Sequence, residues 1–224
     1  MSKLISIIIP TLNESENIAK AISGIKNVLK EYKYEIIVVD GHSSDNTDQI
    51  ARKVGAIVIY DKIGKGSALR KGFNYAKGDI IISMDADLSN EPKELKILIA
   101  GIEAGYDICM GSRFLLGGGS DDMPLLRRFG NRVFVLLVNL IYGAKYTDLC
   151  YGYRSFSKSA VKKMHLTERG FGIETEINIF AKKLNMHILE VPSYEKKREH
   201  GVGKLRSFYD GYKILRTILL NIFN

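Results

Sequence analysis

The chain has 224 residues, 46% hydrophobic and 26% charged, a composition typical of one large globular domain with a substantial core. With 33 Lys and Arg against 25 Asp and Glu, the net charge of +8 favours an anionic partner: a phosphorylated substrate, a nucleic acid or an acidic membrane surface. Cys109 and Cys150 form no C-x-x-C pair, which excludes a cysteine zinc site. No leader pattern or apolar stretch of roughly eighteen residues is present, so we expect a cytosolic chain without a membrane span.

In the first half of the chain, apolar strands alternate with helices. The predicted strands are 4–9, 35–39, 56–60, 79–84 and 107–111, and the predicted helices are 15–32, 45–53, 67–76 and 91–103. Asp45 is the expected N-cap of the second helix. The alternation predicts an α/β fold with a mainly parallel, Rossmann-like sheet and helices on both faces. The glycine run 117–119 predicts a mobile loop.

The second half contains two long amphipathic segments, 125–142 and 204–223, that we expect to be helical. The first is basic at its start and then almost wholly apolar. The second has an apolar side and a charged side. Both are too short or too polar to span a bilayer, so each is predicted either to lie in a membrane interface or to pack against the core or a dimer partner.

An apolar strand, 80–84, runs directly into Asp85 and Asp87. Because the chain turns at the end of a strand, both carboxylates can converge on the crevice where open α/β sheets bind ligands. Two hard oxygen ligands there suit Mg²⁺ or Mn²⁺, which would hold phosphates. A solvated Asp-x-Asp turn has the same sequence, but the neighbouring strand ends favour a ligand site.

Polar segments at the ends of other strands indicate a nucleotide site. Asp40 follows the second strand and is expected to accept a hydrogen bond from a base or ribose, and Lys65 to face phosphates or base. Gly64 and Gly66 would allow the backbone to approach a ligand closely. The loop lacks the spacing of a Walker A loop, and no G-x-G-x-x-G follows the first strand.

Five segments occur in the order IIIPTLNESENI, VVDGHSSDNT, GKGSALRKG, MDADLS and MGSRF. With them the chain resembles family-2 inverting glycosyltransferases of the GT-A fold, and among these the dolichyl-phosphate mannose synthases and related polyprenyl-phosphate hexosyltransferases. The resemblance implies one GT-A domain over 1–224, with a nucleotide-sugar half (1–114) and an acceptor half (115–224).

The resemblance also implies roles for individual residues. The implied catalytic residues are Asp87, Arg113, Arg128 and Arg132, and the implied metal ligands are Asp85 and Asp87. The implied substrate-binding residues are Pro10, Glu14, Asp40, Lys65, Asp85, Ala86, Ser89, Asp148, Glu174, Arg198 and Lys204. Arg113 would meet phosphate, Arg128 and Arg132 a lipid phosphate, and Arg198 and Lys204 belong to a basic segment that closes over the site. Ser89 stands where relatives often have a glutamine that joins the metal or sugar shell. Gly41 stands where they commonly have a second aspartate, so the base, guanine or uracil, stays open.

The implied reaction is metal-dependent, with Mg²⁺ or Mn²⁺. A hexose, mannose in preference to glucose, moves from a nucleotide sugar (GDP-mannose or UDP-glucose) to dolichyl or polyprenyl phosphate. The protein would work at the cytoplasmic face of a membrane, as a peripheral protein with an anchoring partner or as a homodimer. A phosphate acceptor is already an anion near neutral pH. A sugar or protein hydroxyl, the alternative acceptor, would need a carboxylate base such as Asp148 or Glu174. A more remote alternative is a non-catalytic nucleotide- or nucleic-acid-binding protein, but no basic groove with interleaved aromatic residues is present, so we expect no nucleic-acid partner.

Overall fold

The computed structural model describes residues 3–222 and is built around a mixed sheet. In that part of the chain the strands are β1 (Leu4–Thr11), β2 (Lys33–Asp40), β3 (Ile57–Tyr60), β4 (Ile80–Ser83), β5 (Ile108–Ser112), β6 (Gly119–Ser120), β7 (Arg154–Ser157), β8 (Ile188–Pro192) and β9 (Tyr194–Glu195). Seven of them form one sheet in the order β3-β2-β1-β4-β7-β5-β8, and β6 pairs with β9 separately. Only β7 runs antiparallel to its neighbours in the large sheet. The predicted mainly parallel sheet is therefore confirmed.

Helices cover both faces of this sheet. They are α1 (Ile18–Val28), α2 (Thr47–Lys53), α3 (Lys65–Tyr75), α4 (Leu95–Glu103), α5 (Leu125–Tyr142), α6 (Lys158–Lys163), α7 (Ile173–Lys183) and α8 (Ser207–Leu220), with a 3-10 turn, Pro92–Glu94, before α4. Alternate residues of β1 serve the two faces: Ile7 and Ile9 belong to the core that contains residues of α1 and α4, whereas Ile8 belongs to the core that contains residues of α3 and α7. A central strand buried on both faces is mostly apolar, which is why β1 has isoleucine at positions 5, 7, 8 and 9.

The second half of the chain completes the same sheet. β7 and β8 come from residues after 114, and α5, α7 and α8 bury Val138, Ile179 and Ile214 in a third cluster together with Met110 of β5. The two halves implied by the resemblance thus share one sheet, and the division at residue 114 stays a prediction.

Several expected boundaries differ from the structure. α1 begins at residue 18, not 15, and α8 begins at residue 207, not 204; residue 223, where the last helix was expected to end, lies outside the described residues. Asp45 is not the N-cap of α2: that position belongs to Asn46, and the Asp45 carboxylate accepts hydrogen bonds from the backbone N–H groups of Ser15 and Thr47. The glycine run leads into β6, where Gly119 pairs with Tyr194.

Candidate active site

A cavity of about 450 Å³ opens beyond the carboxyl ends of the parallel strands. Parallel strands connected by right-handed crossovers all end at one edge, so the loops that follow them meet there. Of the residues implied as site residues, those that line the cavity are Pro10, Glu14, Lys65, Asp85, Ala86, Asp87, Ser89, Arg113, Glu174, Arg198 and Lys204. Asp40, Arg128, Arg132 and Asp148 are not among the lining residues.

The two aspartates lie on a tight turn after β4. The backbone N–H of Asp85 donates to Asn90 Oδ1 at 2.9 Å, and the N–H of Ser89 donates to Asp87 Oδ1 at 3.1 Å. Leu88, between Asp87 and Ser89, has a left-handed backbone with φ 65°. Burial, and then the negative charge of Asp85, raise the pKa of Asp87. The two carboxylates therefore repel each other across a partly desolvated space that a cation would stabilise.

Two protein cations already contact these carboxylates. Lys65 Nζ lies 2.8 Å from Asp85 Oδ1 and 3.0 Å from Glu174 Oε1, and an Arg198 nitrogen lies 2.9 Å from Asp87 Oδ2. Burial lowers the pKa of Lys65, but the charges of Asp85 and Glu174 outweigh it and raise that pKa above its ordinary value. Lys65 thus stays charged in the cavity wall.

The turn fits a divalent cation that substrate phosphates help to hold. Asp85 and Asp87 offer hard oxygen atoms, and within residues 3–222 no group of three or more His, Cys, Asp and Glu side chains forms a complete metal site. Mg²⁺ typically binds one or two carboxylates and completes its shell with phosphate and water oxygens. This donor set suits such an ion rather than a structural metal.

The glycines before the cavity contribute to packing within the protein. A Cβ on Gly64 would lie 2.6 Å from the carbonyl oxygen of Arg169, and one on Gly66 would lie 2.8 Å from the carbonyl oxygen of Gly170. Gly64 and Gly66 therefore allow α3 to approach the loop before α7. This loop leads into α7, which carries Glu174. The close approach of Gly64 and Gly66 to a ligand stays a prediction.

Arg113 is held between two acids at the floor of the cavity. Its guanidinium contacts Asp148 at 2.7 Å and Glu195 at 3.1 Å, and it lies 4.6 Å from the centre of the Tyr151 ring. Burial lowers the pKa of Arg113, but the charge of Asp148 and that of Glu195 more than offset this and raise it. Asp148 lies beneath Arg113, fully buried, and orients its side chain.

Asp40 is also buried, and its carboxylate accepts hydrogen bonds from the loop that follows it and from the end of β1. It accepts from Ser43 N at 2.8 Å, from Ser43 Oγ at 2.6 Å and from Thr11 Oγ1 at 3.3 Å. Its neighbour Gly41 lines the cavity, and a Cβ there would lie 3.2 Å from the carbonyl oxygen of Thr11. A direct contact of Asp40 with a base or ribose stays a prediction.

One face of α5 lines the cavity, and its residues recur at helical spacing: Arg127, Gly130, Asn131 and Phe134. Arg127 donates to the carbonyl oxygen of Leu205 at 2.8 Å. Asn131 is buried; its Oδ1 accepts from Leu149 N and Cys150 N, whereas its Nδ2 has no hydrogen-bond partner among the described residues.

Arg128 and Arg132 follow one position later, on the neighbouring face of α5, and Arg132 lies over the Phe114 ring. Sequence reasoning therefore overlooked Arg127 and Asn131 as cavity residues. The period of 3.6 residues, applied from the apolar positions of α5, would have separated the two arginine faces.

Residues 196–205, here called the closing segment, cross the mouth of the cavity. Besides the contact between Arg198 and Asp87, Lys204 Nζ lies 2.8 Å from Glu14 Oε1 and contacts the carbonyl oxygen of Leu12. Asn17 Nδ2 donates to the carbonyl oxygen of His200 at 3.3 Å. The basic segment is thus attached to the loop after β1 and to the aspartate turn, and its closure over a bound substrate stays a prediction.

The family model described as "Glycosyl transferase family 2" matches residues 6–164. The chain belongs to this family. Its enzymatic class is therefore that of a glycosyltransferase, in agreement with the resemblance drawn from the motifs.

Two similar proteins have names that mention a lipid phosphate. A dolichol-phosphate mannosyltransferase of Pyrococcus furiosus is 36% identical over 90% of this chain and 59% of its own length. An undecaprenyl-phosphate 4-deoxy-4-formamido-L-arabinose transferase of Edwardsiella ictaluri is 31% identical over 90% of this chain and 63% of its own length. The family-2 glycosyltransferase described here thus spans about three fifths of each of these relatives.

Among solved structures, glucosyl-3-phosphoglycerate synthase from Mycobacterium tuberculosis, in complex with Mn²⁺, UDP and glucosyl-3-phosphoglycerate, superposes with a TM-score of 0.79. It is 21% identical and the match covers 99% of this chain and 80% of that one. This likeness shows the GT-A fold and confirms the predicted fold class.

Proposed function

We propose that this glycosyltransferase moves a hexose from a nucleotide sugar to a polyprenyl phosphate at a membrane surface, with inversion at the anomeric carbon. The observation that carries the proposal is one continuous cavity with two unlike ends. One end holds the Asp85–Asp87 turn, and the other opens between α5 and α8. The apolar lining residues at that second end are Leu126, Phe129, Phe134, Phe208 and Ile214.

The donor would bind at the aspartate end. Asp85 and Asp87 would hold Mg²⁺ or Mn²⁺, which when bound supplies positive charge to the leaving diphosphate. Lys65 stays charged beside them and would face the same phosphates. Arg113, oriented by Asp148 and Glu195, adds a fixed positive charge at the cavity floor, where it would stabilise the charge that develops on the leaving group.

The acceptor phosphate would lie between the two ends. Arg127 lines this part of the cavity, and the unpartnered Nδ2 of Asn131 is a buried donor that an anionic oxygen would satisfy. Guanidinium groups bind phosphate through a planar pair of N–H donors. The apolar walls beyond them would contact the first part of the lipid chain.

The two candidate general bases support a phosphate acceptor over a hydroxyl acceptor. Asp148 accepts hydrogen bonds from Arg113, and Glu174 lies 3.0 Å from Lys65. Both carboxylates are thus already paired with protein cations. A phosphate acceptor needs no general base, because its oxygen is already ionised near neutral pH.

The outer surfaces of α5 and α8 support membrane contact. Leu125, Leu140 and Tyr212, none of which lines the cavity, are each exposed by more than 60%. No helix in residues 3–222 is long and apolar enough to cross a bilayer. Exposed apolar residues beside Arg and Lys are typical of helices that lie in a membrane interface, so we place the protein peripherally on the cytoplasmic leaflet.

The experiment supplies radiolabelled GDP-mannose or UDP-glucose with Mn²⁺ and dolichyl phosphate in detergent. We expect label to pass into an organic extract only when the lipid phosphate is present, with GDP-mannose as the better donor. Matched reactions contain dolichol, which has the same chain without the phosphate, or a soluble sugar acceptor. Transfer to either of these, with none to dolichyl phosphate, would contradict the proposal.

A further inference from the structure

Asn90 is buried behind the aspartate turn and bridges it to the next layer of the structure. Its Oδ1 accepts the backbone N–H of Asp85 at 2.9 Å, and its Nδ2 donates to the Tyr151 hydroxyl at 3.0 Å. The residue is 1% exposed. Both the oxygen and the nitrogen of the Asn90 amide are thus hydrogen-bonded. The oxygen fixes the backbone of Asp85, whose carboxylate faces the cavity.

The bridge continues to Ser193 and Tyr194, which lie just before the closing segment. The Tyr151 hydroxyl lies 3.1 Å from Ser193 Oγ, which donates to Glu94, and Glu94 Oε1 accepts the N–H of Tyr194 at 3.1 Å. This region is tightly packed: a Cβ on Gly111 would lie 2.8 Å from Ser193 Cβ and 2.9 Å from the Tyr151 ring. Asn90 is therefore anchored to a part of the protein that has little room to move.

Tyr151 also lies under the other charged group of the site. Its ring centre is 4.6 Å from the Arg113 guanidinium carbon. One tyrosine therefore supports Arg113 with its ring and Asn90 with its hydroxyl. The positions of the aspartate turn and of Arg113 relative to each other depend on the same side chain.

The turn needs such support because its backbone is strained. Leu88, between Asp87 and Ser89, has φ 65°, a left-handed conformation that non-glycine residues adopt only when their surroundings enforce it. The N–H of Ser89 holds one side of the turn by donating to the Asp87 carboxylate, and the carbonyl of Ser89 accepts the N–H of Lys196. Asn90 holds the other side through Asp85.

We propose that Asn90 is a positioning residue: with Tyr151 it fixes the backbone at Asp85 so that both aspartate carboxylates face one divalent cation. This inference rests on the proposed cation site and adds a residue that touches neither cation nor substrate. A purely structural role, in which Asn90 only satisfies a buried N–H, would affect stability without affecting the cation.

The test compares Asn90→Ala with Ser155→Ala. Ser155 is likewise fully buried, and its hydroxyl donates to the carbonyl oxygen of Leu98 at 2.7 Å, so its loss removes a buried hydrogen bond away from the turn. For each variant the melting temperature is measured, together with Mn²⁺ affinity by electron paramagnetic resonance titration, with Mn²⁺ alone and with GDP or UDP added. We expect both variants to melt lower than the wild type. Only Asn90→Ala should weaken Mn²⁺ binding, by on the order of tenfold to a hundredfold, as is usual when a group that orients a metal ligand is removed.

Tyr151→Phe supplies a second variant that keeps the ring beneath Arg113 and the bond from Asn90 to Asp85. It should weaken Mn²⁺ binding less than Asn90→Ala does but more than Ser155→Ala, and it replaces Asn90→Ala if that variant does not fold. If the wild type binds Mn²⁺, and Asn90→Ala and Tyr151→Phe both bind it as tightly as Ser155→Ala does, the positioning role is overturned while the proposed function stands. A wild type that binds no Mn²⁺ with either nucleotide would overturn both.

Discussion

Asp87 and Asp45 have the same side chain, but their surroundings shift its pKa in opposite directions. At Asp87, burial and the charge of Asp85 raise the pKa. At Asp45 partial burial acts in the same direction, but hydrogen bonds from Thr47 and Ser15 outweigh it and lower the pKa to about 2. A carboxylate with a raised pKa destabilises the fold once it is ionised, whereas one with a lowered pKa stabilises it. Ionised Asp87 therefore lowers the free energy of unfolding.

This contrast predicts opposite effects of two identical substitutions at pH 7 without metal. Asp87→Asn should raise the melting temperature, because the destabilisation by Asp87 is absent below its unfolded pKa and appears as the pH rises through the raised value. Asp45→Asn should lower the free energy of unfolding by about 1 kcal/mol after allowance for solvent screening, or the melting temperature by about 3 °C.

Differential scanning calorimetry between pH 2 and pH 7 provides the measurement. The Asp45 contribution should be present above pH 4 and disappear as the pH falls towards 2. Asp87→Asn should also abolish any stabilisation by Mn²⁺. A lower melting temperature for Asp87→Asn at pH 7 would show that the turn is not electrostatically strained.

The arginines of α5 provide a second prediction at the residue scale. Arg127→Ala should lower kcat/KM for the lipid phosphate by at least about tenfold, because a hydrogen bond to a charged group contributes roughly 1.5–3 kcal/mol. Arg128→Ala is the matched control, one position away on the neighbouring face, and should have a smaller effect. Donor affinity should be unchanged in both variants.

The measurement is steady-state kinetics with the lipid phosphate varied at saturating donor, with melting temperatures recorded for both variants. Arg127 also donates to the carbonyl oxygen of Leu205. The melting temperature of Arg127→Ala therefore shows whether the closing segment has loosened. A larger loss in Arg128→Ala than in Arg127→Ala would favour the assignment made from the sequence.

At the scale of elements, α5 and α8 present apolar surface that nothing in the described chain covers. Leu125 of α5 and Tyr212 of α8, neither of which lines the cavity, are 82% and 67% exposed. Exposure of that degree means that a polar replacement removes little packing from the folded protein. The helices can therefore be altered on the outside without disturbing the cavity between them.

We expect the double variant Leu125→Glu/Tyr212→Glu to lose most of its binding to anionic phospholipid vesicles. A large apolar side chain is worth about 1.5–3 kcal/mol when fully buried, so even partial insertion of two predicts a loss of about tenfold or more. Vesicle sedimentation measures the effect. Ile97→Glu on α4, where Ile97 is 49% exposed, controls for added charge and should bind as the wild type does. Equal binding by the double variant would argue against these helices as the membrane contact.

At the scale of the whole molecule, the first half was largely predictable from sequence because each element there has its own local pattern. β1, β2 and β4 are apolar runs that end in polar turns, and the helices between them have apolar residues at helical spacing. The carboxyl ends of parallel strands meet by geometry alone. The place of the aspartate turn therefore followed from the order of the elements.

In the second half, α5 and α8 were predicted from their amphipathic pattern, but the strands lacked such signals. β7 has the sequence RSFS, which has no apolar run, and it enters the sheet antiparallel between β4 and β5. Its Arg154 is fully buried and is satisfied by the carbonyl oxygens of Leu149, Tyr151 and Glu174 and by Asn178. Burial lowers the pKa of Arg154. Glu174 and Asn178 lie 20 and 24 residues further along the chain, and such distant partners cannot be paired from a single chain. The same holds for Arg113 with Glu195.

The lysine and arginine side chains inside the cavity lead to a prediction for the protein as a whole. Lys65 and Arg198 contact the carboxylates that a divalent cation would bind. The stabilisation by nucleotide sugar and Mn²⁺ together should therefore exceed the sum of the stabilisation by each ligand alone. At a hundred times the dissociation constant, a ligand specific for the folded state adds about 2.7 kcal/mol. For a domain of this size that corresponds to a rise of about 5–10 °C in melting temperature.

A thermal-shift panel of GDP-mannose, UDP-glucose, GDP and UDP, each with Mn²⁺ and with chelator, measures this coupling. The nucleotide that gives the larger metal-dependent shift identifies the base, which the change from aspartate to Gly41 left open. Asp87→Asn is the control and should respond equally with and without Mn²⁺. A large shift that is the same in chelator would mean that Lys65 and Arg198 neutralise the carboxylates by themselves, and that the donor binds without a metal ion.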